Sequence, residues 1–97
     1  MQSFIIDKWA QNRYIVTILF AWDPKKDEEL RSKGRPTFED AVDAIKRGAL
    51  KDDENPVHAG QRLFVVLIND YPHVIPYEVR GDIIWLITVY PARKYKR

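Results

Sequence analysis

The chain has no cysteine, one methionine and only two histidines, His58 and His73, in 97 residues. Without cysteine there is no disulfide, no thiolate nucleophile and no Cys-type zinc site. Two isolated histidines are a poor basis for any other metal site, so neither metal nor cofactor is expected. Long apolar runs are missing as well. No stretch reaches the ~20 residues that span a bilayer, and no basic-then-apolar leader ends in small residues. The expectation is therefore a cytoplasmic protein with no membrane partner. A large charge excess is lacking too, since 16 Lys+Arg against 14 Asp+Glu leave a net charge of +2.

What is present is a hydrophobic content of 45%, enough for one core in one domain and too little chain for two. The charges are unevenly spread. Acids outnumber bases from Asp23 to Val57, bases outnumber acids from His58 onward, and four of the last five residues are cationic. That asymmetry suits a C-terminal surface that meets phosphate while the middle of the chain faces water or a protein partner. The plainer reading of the last five residues, 93–97, is a solvated basic tail.

The strongest β pattern runs from Arg62 to Tyr90. Arg62–Ile68, His73–Val79 and Ile83–Tyr90 are rich in β-branched and aromatic residues. Asn69-Asp70 and Arg80-Gly81-Asp82 separate them, which predicts an antiparallel meander. Pro76 inside the middle run cannot donate to a ladder and marks an edge or a bulge, which would re-aim Tyr77 and Glu78. Upstream, Arg13–Trp22 reads as a buried strand that enters the sheet first. Phe4-Ile5-Ile6 is a candidate edge strand, Trp9 a candidate cover for the core, and residues 1–12 a candidate N-terminal extension.

Two helices are predicted between these strands. Asp23 has the side chain of an N-cap, Pro24 fits the first helical position, and Gly34 fits the C-terminal stop. This helix is mostly charged, with Leu30 its one strong apolar anchor. Thr37 opens the second helix with Asp40 at the capping-box position, and Phe38, Ala41, Val42 and Ile45 form one apolar stripe. Leu50 to Gly60 reads as an exposed acidic loop. The fold class is therefore α+β, a small antiparallel sheet with two helices packed on one face. Trp22 and Trp85 read as core.

Several segments, in order and spacing, resemble BrnT-type toxins. They are Phe20-Ala21-Trp22-Asp23-Pro24-Lys25-Lys26, then Lys33-Gly34 and Thr37-Phe38-Glu39-Asp40-Ala41. Downstream come Gly60-Gln61-Arg62-Leu63-Phe64-Val65-Val66, Tyr71-Pro72-His73-Val74-Ile75-Pro76-Tyr77 and Tyr90-Pro91-Ala92-Arg93-Lys94. The match covers roughly Ile18 to Tyr95. The resemblance implies a single RelE-like domain and a small ribonuclease of a type II toxin–antitoxin pair. It also implies a hetero-oligomer with a DNA-binding antitoxin that neutralises it. The chain departs from the pattern at Ser32-Lys33-Gly34, where the family often has Lys-His-Gly, and in the length of the segment before Ile18.

Metal-free RNA cleavage needs a base for the 2′-hydroxyl, cations for the charge that gathers on the phosphate, and an acid for the leaving 5′-oxygen. Arg62 and Arg93 are the candidate cations, brought together if the first and last strands of the meander are neighbours; arginine's planar fork suits phosphate. Each could equally be a rim charge. Glu78 and His58 are the candidate acid–base groups, with a solvent-facing strand residue and a polar loop residue as the plainer readings. His73 is a weaker candidate at the start of a strand. Lys94, Lys96, Arg97 and the tyrosines Tyr77, Tyr90 and Tyr95 are candidate RNA contacts, although a strand aromatic more often packs than stacks on a base. Two other classes stay open: a non-catalytic RNA- or ribosome-binding module, and a protein-interaction domain that uses the acidic loop and the charged helix.

Overall fold

A computed structural model describes the backbone of residues 2–7 and 17–96, and the side chains of residues 19–96. In chain order the elements are β1 (Gln2–Asp7), β2 (Thr17–Trp22), α1 (Pro24–Ser32), α2 (Phe38–Arg47), β3 (Lys51–Glu54), β4 (Arg62–Ile68), β5 (Tyr71–Arg80), β6 (Ile83–Leu86) and β7 (Tyr90–Pro91). A single 3-10 turn at Arg93–Tyr95 follows. The sheet order is β1-β2-β6-β5-β4-β3, with β7 also pairing with β5. The class is α+β, as the residue pattern predicts. The sheet is mixed rather than antiparallel throughout, because β2 runs parallel to β6 in register Leu19↔Ile83 to Trp22↔Leu86. The candidate edge strand at Phe4-Ile5-Ile6 lies within β1, which ends the sheet beside β2. Trp9, Gln11-Asn12 and the Arg13–Val16 part of the expected strand fall outside the described residues.

Both helix starts follow their sequence signals. Asp23 accepts a hydrogen bond from the Lys25 backbone N–H at 2.9 Å, and Pro24 occupies the first turn. At the other end of α1, the Gly34 N–H donates to the Arg31 carbonyl and the Arg35 N–H to the Leu30 carbonyl. This 5→2 and 6→1 pair is a Schellman stop, and it requires the positive φ of +68° that Gly34 adopts without penalty. In α2, Thr37 and Asp40 form a reciprocal capping box. Asp27, on the charged helix, accepts from the Phe38 N–H at 3.0 Å and pairs with Arg31 at 3.4 Å. One carboxylate therefore ties the middle of α1 to the start of α2.

The main core joins Leu30 of α1 and Phe38, Ala41, Val42, Ala44 and Ile45 of α2 to alternate strand residues: Phe20, Trp22, Phe64, Val66, Ile68, Ile75, Tyr77 and Leu86. Trp22 and Phe38 stack with ring centroids 5.5 Å apart. The intervening residues Leu63, Val65 and Val74 form a second cluster with Ala92, against which Tyr95 packs. Period-two alternation thus gives helices to one set of strand side chains and the C-terminal segment to the other.

Three sequence expectations are corrected. Residues 51–54 are not loop: β3 pairs antiparallel with β4 from Lys51↔Val65 to Glu54↔Arg62 while all four of its residues stay exposed. The run from Ile83 to Tyr90 is not one strand, because β6 ends at Leu86 and β7 begins at Tyr90. Pro76 makes no bulge toward β4, where Leu63↔Pro76 sits in unbroken register between Arg62↔Tyr77 and Phe64↔Ile75. Its carbonyl accepts from the Ile87 N–H, and that of Pro72 from the Ala92 N–H. In an antiparallel strand a residue's N and C=O face the same neighbour, so both missing N–H groups lie on the side where β6 gives way to β7. The β4–β5 turn follows expectation: Asn69 and Asp70, with φ of +52° and +63°, form a two-residue hairpin of the primed type.

Candidate nucleic-acid interface

Two of the candidate catalytic residues, Arg62 and Glu78, are engaged in ion pairs of their own. β5 lies between β4 and β6, so the first and last strands of the meander flank it instead of touching, and the condition for joining Arg62 to Arg93 is not met. Arg62 is engaged elsewhere. Its Nε donates to the Tyr77 hydroxyl at 3.1 Å, its guanidinium pairs with Asp52 at 3.3 Å, and Nη2 also donates to the Asp52 carbonyl. Glu78 accepts two hydrogen bonds from Arg80, at 2.8 and 3.1 Å, and Arg80 lies over the Trp85 ring. Trp85 is only half-buried, so it is not the core residue expected. His58 is exposed in the β3–β4 connection, where its backbone N–H donates to Asn55 Oδ1.

Tyr77 is also reassigned. It is 3% exposed and stacked on Phe64 at 4.3 Å between centroids, out of reach of an RNA base. Its hydroxyl donates to Asp52 Oδ1 at 2.5 Å. Burial, then the hydrogen bond to Asp52, pushes the phenol up to about 12. The hydrogen bond from Arg62 to Tyr77, followed by the charge of Asp52, raises the guanidinium in turn. The consequence for stability has a definite sign. The unfolded phenol ionises near 10 while the folded one holds its proton to about 12. The contribution is therefore complete below pH 10 and lost as pH rises to about 12. Urea midpoints at about pH 9 and about pH 11 are expected to differ more for the wild type than for Tyr77→Phe, which has no proton to lose there.

The C-terminal residues do converge. Tyr90, Pro91, Ala92, Arg93, Lys94 and Tyr95 line a cleft of about 320 Å³ with Asn55, Pro56 and Val57 of the β3–β4 connection, over a floor of Leu63 and Val74. Two cations flank the Tyr95 ring, with Lys94 Nζ 5.1 Å and Lys51 Nζ 5.8 Å from its centroid. Lys96 Nζ lies 5.4 Å from the centre of the Tyr71 ring. The result is a ridge of alternating cations and aromatic rings along the end of the chain, with Lys94, Tyr90, Tyr95 and Lys96 all on it. Arg97 falls outside the described residues. Lys51 and Tyr71 were not legible as site residues. Lys51 sits in a run of four charged residues with no strand pattern, and only the register opposite Val65 puts it beside Tyr95.

A second cleft, of about 420 Å³, opens at the far end of β4 and β5. It is lined by Gly34, Arg35, Pro36 and Asp40 on the helical side and by Ile68, Asn69, Tyr71 and His73 on the sheet side. His73 is 7% exposed, and its Nδ1 lies 2.8 Å from the Tyr71 carbonyl. Among the described residues no three His, Asp or Glu side chains are grouped to hold a metal ion, and no helix is long and apolar enough to cross a membrane. No family model matches the chain, and no curated protein or solved structure matches it either.

Proposed function

We propose that this protein acts on RNA as the ribonuclease toxin of a type II toxin–antitoxin pair, with the C-terminal ridge as the surface that engages the RNA. The carrying observation is the cluster of Lys51, Arg93, Lys94 and Lys96 around Tyr71, Tyr90 and Tyr95. Single-stranded RNA offers a chain of phosphates and a series of stackable bases, and alternating cations and rings answer both. The BrnT-like order of segments supplies the toxin part of the reading. An antitoxin would silence the protein by covering this ridge with acidic and apolar side chains, in competition with RNA.

A second reading has its own support. Glu78 and Arg62, two members of the expected catalytic set, are taken up in pairs with Arg80 and with Asp52 and Tyr77. A module that binds RNA or the ribosome without cutting would use the same ridge and need neither residue. Tightly controlled expression in bacteria, with mapping of new RNA 5′ ends, separates the two. Growth arrest with new ends in the wild type, lost in Arg93→Ala/Lys94→Ala of equal solubility, is the result expected of a ribonuclease. Arrest without new ends would favour the binding module. Unimpaired growth with soluble protein and intact RNA would overturn both.

A further inference from the structure

The cleft between the α1–α2 connection and the β4–β5 turn contains a histidine in an uncommon situation. His73 is 7% exposed, yet among the described residues only one of its ring nitrogens has a partner. A carbonyl can only accept, so Nδ1 must carry the proton that it donates to Tyr71. In the neutral ring this leaves the lone pair on Nε2. A backbone carbonyl thereby fixes tautomer and ring orientation together, and T-shaped contact with the Tyr71 ring, at 5.9 Å between centroids, adds to the second.

The surroundings suit a phosphodiester. Arg35 lines the same cleft, and its guanidinium has no partner among the described residues. Lys96 reaches the cleft's margin over Tyr71 and links it to the C-terminal ridge. Among the described residues Asp40 is the one carboxylate in the lining, and its Oδ2 is engaged by the Thr37 N–H at 2.9 Å. The groups facing the imidazole are thus Arg35 from the connection, Asp40 from α2, and Tyr71 from its own strand, with Lys96 from the tail beyond.

Resting on the ribonuclease reading, we infer that this cleft seats the scissile phosphate of RNA and that His73 Nε2 is the base that takes the proton of the adjacent 2′-hydroxyl. O2′ then bonds to phosphorus, the P–O5′ bond breaks, and the 5′-oxygen leaves with a proton drawn from water. The imidazolium returns its proton to the hydroxide so formed, and the products are a 2′,3′-cyclic phosphate and a 5′-hydroxyl. Arg35 offsets the charge that gathers on the phosphoryl oxygens. RNA lying along the ridge would pass Lys96 on its way into the cleft.

The test compares purified wild type with His73→Gln on a single-stranded RNA across a range of pH. RNA affinity and circular dichroism verify that the variant folds and binds. A rate lower by a hundredfold or more in the variant, together with loss of the acidic limb of the pH–rate profile, is the expected result. Rates within a few-fold of wild type in the folded variant would overturn this assignment and leave the ribonuclease reading standing, whereas intact RNA with the wild type would overturn both. A measurement that needs no variant is titration of the wild type with uridine 3′-monophosphate while the ¹⁵N resonances of the His73 ring are followed. Movement of the Nε2 signal is expected, and its constancy at millimolar ligand would count against the site.

Discussion

Phe38→Ala is expected to lower the stability of the fold by about 3–5 kcal/mol, the usual cost of deleting a large buried aromatic side chain. Phe38 has no exposed surface and stacks on Trp22 where α2 meets the sheet. It is also the residue whose N–H is held by Asp27 of α1. Its loss leaves a cavity at the junction of three elements. A domain of this size has only about 5–15 kcal/mol of net stability, so the variant forfeits a large share of it. Thermal unfolding followed by circular dichroism should show a midpoint lower by about 12 °C or more. A loss below about 1 kcal/mol would mean that α2 can slide to close the cavity, which would be evidence against the tight helix–sheet contact described above.

The second large effect is on binding. Arg93→Ala/Lys94→Ala/Lys96→Ala removes three cations from the ridge while leaving both apolar clusters intact. For single-stranded RNA each phosphate contact contributes about 0.7 to the slope of log affinity against log salt. The triple variant should therefore flatten that slope by about 2 and weaken binding by roughly two decades at low salt. Fluorescence anisotropy with a short labelled RNA at several salt concentrations measures both quantities. An unchanged slope would show that the tail is a solvated charge run and that RNA, if bound, sits elsewhere. Because Arg93 and Lys94 are exposed, the unfolding midpoint should hardly move, which separates this variant cleanly from Phe38→Ala.

Local chemistry made much of the fold legible. Asp23, Pro24, Thr37, Asp40 and Gly34 mark helix ends by hydrogen bonds or dihedral angles that span only a few residues. Asn69-Asp70 marks a hairpin in the same way. What could not be read was the pairing of residues distant in sequence. The parallel contact of β2 with β6 has no local signature, since a near-continuous apolar run is compatible with either direction. β3 is hidden because Lys-Asp-Asp-Glu has no strand propensity, and pairing with β4 makes it a strand. The break between β6 and β7 is hidden by the β-branched residues Ile87, Thr88 and Val89, whose pattern continues where hydrogen bonding to β5 changes partner.

The candidate site divides along the same line. Arg93, Lys94 and Lys96 with Tyr90 and Tyr95 are visible as composition, and they form the ridge. Arg62, Glu78, Arg93 and His58 stand out by residue type, and type says nothing of what a charge already touches. Arg62 looks the same in the sequence whether it faces solvent or Asp52 across β3. His73 is inconspicuous for the opposite reason. At the start of a strand beside a turn a histidine reads as structural, and only its hydrogen bond to the Tyr71 carbonyl marks it out.

β3 has a further bearing on how the protein behaves at high concentration. Among the described residues it is the outermost strand at its end of the sheet, and its outer backbone groups would accept another strand. Three of its four side chains are acidic and all are exposed. In a symmetric antiparallel approach a second copy would set Asp52 against Asp53 at the centre of the edge, and like charges directly opposite one another repel. The feature that hid this strand from the sequence pattern is therefore a guard against sheet growth.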